Sequence, residues 1–263
     1  GHPVSQSLSP VLHQRWMEHL GLEAEYLAID GENNQCFHAL LKDLQQGGYL
    51  GVNVTIPFKE EALTASTSPS KLAQRVGAAN LLLFRDGDVI ADNTDVDGFA
   101  NAINSLELSH QPAHARILGA GGAAPAVIVA LQQIGVGHIE ITNRTASKAM
   151  EKADRFGIDF IDWDDRSKGL GGIDLLINTT SLGMKGQQTL EIDIHELPAS
   201  ATVVDIVTTP PETPLLAQAR NMGLKVMNGL PMLVYQAIPS FQAWFGLTPP
   251  SPGDDIAFLA RGL

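Results

Sequence analysis

ARILGAGGAAPAVIVALQQIG, residues 115–135, decides the fold. An apolar run stops at Gly119, the pattern Gly119-x-Gly121-x-x-Ala124 follows, and an apolar helical stretch opens directly behind it. The first glycine permits a tight turn and the second lets the main chain approach a pyrophosphate. The small third residue allows close packing of helix on strand. Amides and the positive dipole end of the helix then attract the phosphates. Gly119, Ala120, Gly121, Gly122 and Ala123 thus read as a dinucleotide-binding turn. Its strand–turn–helix context makes it more than a bare glycine match.

The next strand, HIEITNRT (138–145), ends in Asn143-Arg144-Thr145. An acid is expected there for a ribose 2′-hydroxyl, and an acid would repel a 2′-phosphate. Arg144, helped by Lys148, can instead pair with one. Glu140 comes too early in the strand to reach the ribose. The cofactor reading is NADP(H) rather than NAD(H).

Strand and helix patterns alternate along the chain, which argues for an α/β fold with parallel sheet. A helix runs from Ser9-Pro10 to His19 and stops at Gly21. AEYLAID (24–30) and YLGVNVTI (49–56) read as strands on either side of helix 34–44. A short polar helix near 70–76 precedes strands 79–84 and 88–92, joined by the turn Asp86-Gly87. Helix 96–107 leads to the loop SHQPAHA. Beyond the glycine turn come helix 147–156, strands 174–180 and 202–207, helix 213–222 and strand 224–228. From Pro231 to Phe245 a helix is apolar on all sides. The expected division is a substrate domain of residues 1–96 with 230–263, α/β with a mixed sheet, and a Rossmann domain of 97–229.

The 263 residues are 44% hydrophobic and 17% charged, with net charge −12, which excludes an electrostatic nucleic-acid binder. No apolar run reaches the roughly 18 residues of a membrane span. The one cysteine, Cys36, cannot form an internal disulfide and suits a reducing cytoplasm. The eight histidines are scattered and no metal site is expected. Gly1 in place of methionine leaves room for a preceding strand.

A second polar site starts from VNVTIPFKE (52–60). Period two puts Val52, Val54 and Ile56 on one face and Asn53 and Thr55 on the other. Pro57 ends the strand and suits the first turn of a short helix. Lys59 then sits where the helix dipole disfavours a second positive charge. That placement suits a proton-transfer group, although an exposed lysine partnered by Glu60 and Glu61 accounts for it equally. In DNTDVDG (92–98), Asp95 and Asp97 are explained by capping, and no spacing brings Asp95 to Lys59. Ser7 and Ser9 of QSLSP offer two hydroxyls at a helix start, as a carboxylate cradle or a plain cap.

Together GHPVSQSLSPVLH, GVNVTIPFKE, VGAAN, DNTDVDG, GAGGAA, TNRT, INTTSLGM, DIV…TPLL and GLPMLVYQ resemble the shikimate dehydrogenase family in order and over essentially the whole chain. The resemblance implies NADP-linked interconversion of 3-dehydroshikimate and shikimate in the shikimate pathway of aromatic amino acid biosynthesis. It implies Lys59 and Asp95 as the catalytic pair, Ser7 and Ser9 on the substrate carboxylate, and Asn53, Thr55, Asn80 and Gln236 on the ring hydroxyls. Thr179, Ile206, Gly229 and Met232 would lie along the nicotinamide. The partner is a small-molecule hydroxy acid, with no nucleic acid or membrane, in a cytoplasmic monomer or homodimer. Four positions depart from the family pattern. Gln6 replaces histidine, Leu81 threonine, Ser181 proline, and Thr208 the tyrosine that contacts the substrate carboxylate. A paralogue acting on quinate or an analogue fits these departures, and a non-catalytic NADP or metabolite sensor is the remaining alternative.

Overall fold

In the hairpin that organises the first sheet, Asp86 and Gly87 both take positive φ, 53° and 87°. This is the two-residue geometry whose twist matches paired strands, and it sets Arg85 opposite Asp88. A computed structural model describes residues 1–5 and 7–263, so Gln6 lies outside the described residues. The chain divides into two compact units, Gly1–Gly98 with Leu233–Leu259, and Phe99–Met232 with Ala260–Leu263.

The first unit opens with helices α1 (Ser9–Leu20) and α2 (Asn34–Gln46). Gly21, at φ 65°, ends α1, and the Asn33 side chain accepts the Cys36 amide to start α2. Strand β1 (Gly51–Asn53), helix α3 (Lys59–Ala65), bridge β2 (Ser68–Pro69), helix α4 (Lys71–Val76), and strands β3 (Leu81–Arg85) and β4 (Asp88–Asp92) follow, then helix α5 (Asp95–Asn104) begins. The sheet order is β1-β3-β4-β2, antiparallel except for β2 beside β4. Its core packs Phe37, stacked on Phe58 at 4.9 Å, with Val54, Ala62 and Leu82. His13 is fully buried beside Trp16, Tyr26, Phe241 and Trp244.

Residues 24–30 do not join the sheet. Their burial alternates from Ala24 to Leu27 and breaks at the exposed Leu27-Ala28, and they have no ladder partner among the described residues. An apolar groove of about 570 Å³ is lined by Tyr26, Leu27 and Ile29 and, from β1 and α2, by Val52, Leu41 and Leu44. The strand expected over 49–56 shortens to β1. Gly51 there approaches so closely that a Cβ would stand 2.0 Å from the Leu82 carbonyl oxygen. Pro57 precedes α3 rather than entering it, and α5 ends three residues before the expected Glu107.

The second unit holds β5 (His114–Leu118), α6 (Ala124–Gln133), β6 (His138–Thr142), α7 (Ala146–Phe156), β7 (Asp159–Phe160), β8 (Leu175–Asn178), β9 (Thr202–Asp205), α8 (Pro214–Asn221) and β10 (Lys225–Met227). All six strands are parallel, in the order β10-β9-β8-β5-β6-β7. The order reverses between β5 and β8, the switch point beyond whose strand ends α/β sheets bind ligands. Helices α9 (Leu230–Phe245) and α10 (Pro252–Arg261) complete the chain. Of α9 only Gln242 is exposed, in line with its apolar sequence. No helix of the described residues is long and apolar enough to cross a membrane.

Candidate active site

In the first unit, Lys59 opens α3 and Asp95 opens α5, and Lys59 Nζ lies 2.6 Å from Asp95 Oδ2. The two side chains are only 14% and 7% exposed, so the pair is shielded from water and little screened by salt. The carboxylate answers the positive dipole end that otherwise disfavours a lysine. Asn93 Oδ1 accepts the Asp95 amide and fixes the start of α5.

Asn80 ties this pair to the rest of the site. Its Nδ2 donates to Asp95 Oδ1 and Thr94 Oγ1, each at 2.9 Å, and to Gln236 Oε1 at 3.3 Å. Its Oδ1 accepts the Thr94 amide. Asn53 donates to the Asn80 carbonyl and to Ser240 Oγ, and accepts the Tyr26 phenol at 2.9 Å. Burial pushes the Tyr26 phenol up in pKa, opposed by a hydrogen bond from Ser9. The Ser9 amide in turn donates to Ser7 Oγ. Lys59, Asp95, Asn80 and Gln236 thus meet directly, and Asn53, Ser9 and Ser7 join them through intermediaries. Thr55 is exposed and makes no side-chain hydrogen bond among the described residues. Beside the pair, burial and then the charge of Asp92 raise the Asp97 carboxyl.

Thr94, Tyr26 and Ser240 were not singled out from the sequence. Thr94 stands inside DNTDVDG and could have been, as the polar neighbour of a helix-opening acid. Tyr26 and Ser240 reach the site only through tertiary packing.

In the second unit, Gly119 has φ 108°, and a Cβ on it would come within 2.6 Å of Thr180 Cγ2 and 2.9 Å of Thr179 Oγ1. Only glycine fits there. Gly121 and Gly122 are exposed with open space around their α-carbons, whereas Ala124 is wholly buried. This is the cradle a pyrophosphate needs at the start of α6. Asn143 Oδ1 accepts the Ala120 amide, and its Nδ2 donates to the Thr145 carbonyl, locking turn to strand end. Arg144, Thr145 and Lys148 are exposed beside it. Thr179 Oγ1 lies 3.1 Å from the carbonyls of Leu118 and Gly119. Gly229 packs so tightly that a Cβ would stand 2.1 Å from the Ile206 carbonyl and 3.0 Å from Thr208 Cγ2. Met232 is buried. At the paired ends of β8 and β9, Asp205 is held by Asn178 and Thr213, and burial raises its carboxyl.

Residues 1–82 match the shikimate dehydrogenase substrate binding domain, 101–213 the shikimate/quinate 5-dehydrogenase family, and 229–252 the shikimate 5′-dehydrogenase C-terminal domain. A protein of Rhodopseudomonas palustris strain HaA2 named shikimate dehydrogenase (NADP(+)) is 45% identical over 253 residues, 95% of this chain and 89% of that one. The chain belongs to the shikimate dehydrogenase family. A solved shikimate 5-dehydrogenase of Thermus thermophilus, in complex with NADP(H) and shikimate, superposes with TM-score 0.90 at 35% identity, covering 100% of this chain and 97% of that one. A quinate dehydrogenase of Corynebacterium glutamicum in complex with NAD follows at TM-score 0.88 and 26% identity, over 99% and 96%. The family arrangement of an α/β substrate domain with a mixed sheet and a Rossmann domain is the fold described above.

Within this family the departures differ in weight. Leu81 is 2% exposed, in the middle of a sheet between Asn53 and Asp92, and is a core residue rather than a pocket wall. Ser181 is exposed. Thr208 packs against Gly229, whose added Cβ would stand 3.0 Å from Thr208 Cγ2.

Proposed function

We propose that the protein is an NADP-dependent dehydrogenase that interconverts shikimate and 3-dehydroshikimate. The observation that carries this reading is the shielded Lys59–Asp95 pair, joined by Asn80 to Gln236. An ammonium held by a carboxylate can give up and regain one proton without leaving its position. Lys59 hydrogen-bonds the reacting oxygen, accepting the hydroxyl proton on oxidation and returning it on reduction. Asp95 holds the ammonium and orients the same hydroxyl. Asn53, Asn80 and Gln236 bind the other ring hydroxyls, with Thr55 at the rim, and Ser7 and Ser9 receive the carboxylate.

The bound nicotinamide supplies the hydride acceptor or donor. Gly119, Ala120, Gly121, Gly122 and Ala123 cradle its pyrophosphate, while Asn143, Arg144, Thr145 and Lys148 favour a 2′-phosphate. Thr179, Ile206, Gly229 and Met232 flank the reactive ring. With Thr208 in place of a phenol, the carboxylate rests on the serines, at a cost of about 1–3 kcal/mol in binding.

Steady-state oxidation of shikimate and quinate, each with NADP⁺ and NAD⁺, tests the reading. Shikimate with NADP⁺ is expected to be fastest, and faster turnover of quinate would overturn the substrate assignment. Lys59→Ala is expected to lower kcat by about 10²–10⁴-fold, with KM changed only a few-fold. Unchanged turnover in this variant would overturn the assignment of Lys59.

A further inference from the structure

Strands β5 and β6 begin side by side, with His114 paired against His138 and Arg116 against Glu140. Period two sets all four on one face of the sheet. The imidazole rings stack with centroids 3.9 Å apart. Arg116 takes one carboxylate oxygen of Glu140, Oε2, through Nε and Nη2, each at 2.7 Å. Its Nη1 is anchored by the carbonyls of Arg166 and Lys168. The other oxygen, Oε1, faces the histidines, 3.2 Å from His114 Nε2 and 3.9 Å from His138 Nε2.

His114 Nε2 is buried yet makes no hydrogen bond among the described residues. A buried ring nitrogen without a partner is costly. Here it lies 3.2 Å from a carboxylate oxygen, without the alignment of a hydrogen bond, and beside a second imidazole. One donor atom from each of the three side chains lies within 4.8 Å of the others. Tetrahedral zinc, with nitrogen and oxygen donors at about 2.0–2.2 Å, sets its ligands roughly 3.3–3.5 Å apart. The stacked rings, 16° from parallel, direct their nitrogens side by side, so both imidazoles must turn about their side-chain torsions to converge on one ion.

We propose that His114, His138 and Glu140 form a binding site for a zinc-class divalent cation. Two imidazoles and one carboxylate suit Zn²⁺ better than the oxygen-seeking Mg²⁺ or Ca²⁺. Asp159 Oδ2, 2.8 Å from His138 Nε2, is a fourth donor within reach. Both of these side chains are well exposed, at 49% and 68%, so the ion enters from solvent. Arg116 fixes the carboxylate as an outer partner, and its positive charge holds affinity to a moderate level. The site lies at the start of β5, about 16 Å of strand from the Gly119 turn. The ion therefore joins the first ends of two strands and takes no part in hydride transfer.

The test uses untagged full-length protein, stripped with chelator and titrated with Zn²⁺ against a chromophoric competitor. One zinc per chain is expected, with a raised Tm that Mg²⁺ does not reproduce. His138→Ala should weaken binding at least tenfold and remove the Tm shift. His195→Ala, which removes an exposed histidine paired with Asp193 elsewhere in this unit, should change neither. Zinc K-edge absorption on the wild-type protein gives an answer independent of variant folding, and two imidazole ligands are expected. Absence of stoichiometric binding, equal loss in His195→Ala, or a spectrum without imidazole would overturn the proposal.

Discussion

His13 couples stability to pH. It is fully buried, neither ring nitrogen has a partner among the described residues, and desolvation pushes its pKa from 6.5 down to about 3. Between those values the unfolded chain binds a proton that the native chain refuses, so stability rises with pH. The contribution is complete above about pH 6.5 and is lost as pH falls toward 3. At pH 5 the loss reaches about 2 kcal/mol, at about 1.4 kcal/mol per pH unit. Urea unfolding at pH 7 and pH 5 should show this loss in the wild type and not in His13→Phe. The raised carboxyls of Asp97 and Asp205 are common to both proteins and cancel in the difference. Equal losses in the two proteins would sink the idea. At this scale the sequence was legible where chemistry is local, as with Gly119. It was silent on Tyr26, whose phenol meets Asn53 across 27 positions of chain.

Gly98 decides whether the start of α5 can stand beside α9. A Cβ there would lie 2.5 Å from Gln236 Cβ and 2.9 Å from its Cα and main-chain nitrogen. In an open helix, Gly→Ala stabilises by about 0.5–1 kcal/mol. Here main chain must move, and the strain costs about 1–3 kcal/mol, so strain wins. Gly98→Ala should lower Tm by several degrees and raise the KM for shikimate, because Gln236 is displaced from Asn80. A raised Tm would mean that the close approach is wrong. Elements whose signals are local matched their expected places. These include the Asp86-Gly87 hairpin, α1 ending at Gly21, and the strand–turn–helix around Gly119. Segment 24–30 reads as a strand in sequence but has no ladder among the described residues, because pairing is a property of a distant partner rather than of the segment itself. Asp95 beside Lys59 was hidden for the same reason, since two helix starts 36 residues apart converge only after the sheet forms.

For the whole molecule, five strands of the parallel sheet were legible because each strand pattern alternates with a helix or turn pattern, whereas the two-residue β7 is too short to show a period. The order β10-β9-β8-β5-β6-β7 was not legible, since no local signal records which strands become neighbours. Charge acts at this scale too. A net charge of −12 opposes an anionic cofactor and an anionic substrate alike, so the proposed contacts of Arg144, Lys148 and the α6 amides would act at short range, within a Debye length. The groove beside β1 has a practical consequence for any optical assay of the folded chain. Leu27, Tyr49 and Leu50 on its walls are 52%, 40% and 51% exposed, and Trp244 lines it as well. An environment-sensitive dye such as ANS should therefore fluoresce on the native protein, and excitation of tryptophan should sensitise it. A dark native sample would refute this. If the dye lights up, a melting curve followed by such dyes starts bright and understates unfolding, and circular dichroism becomes the sounder thermometer.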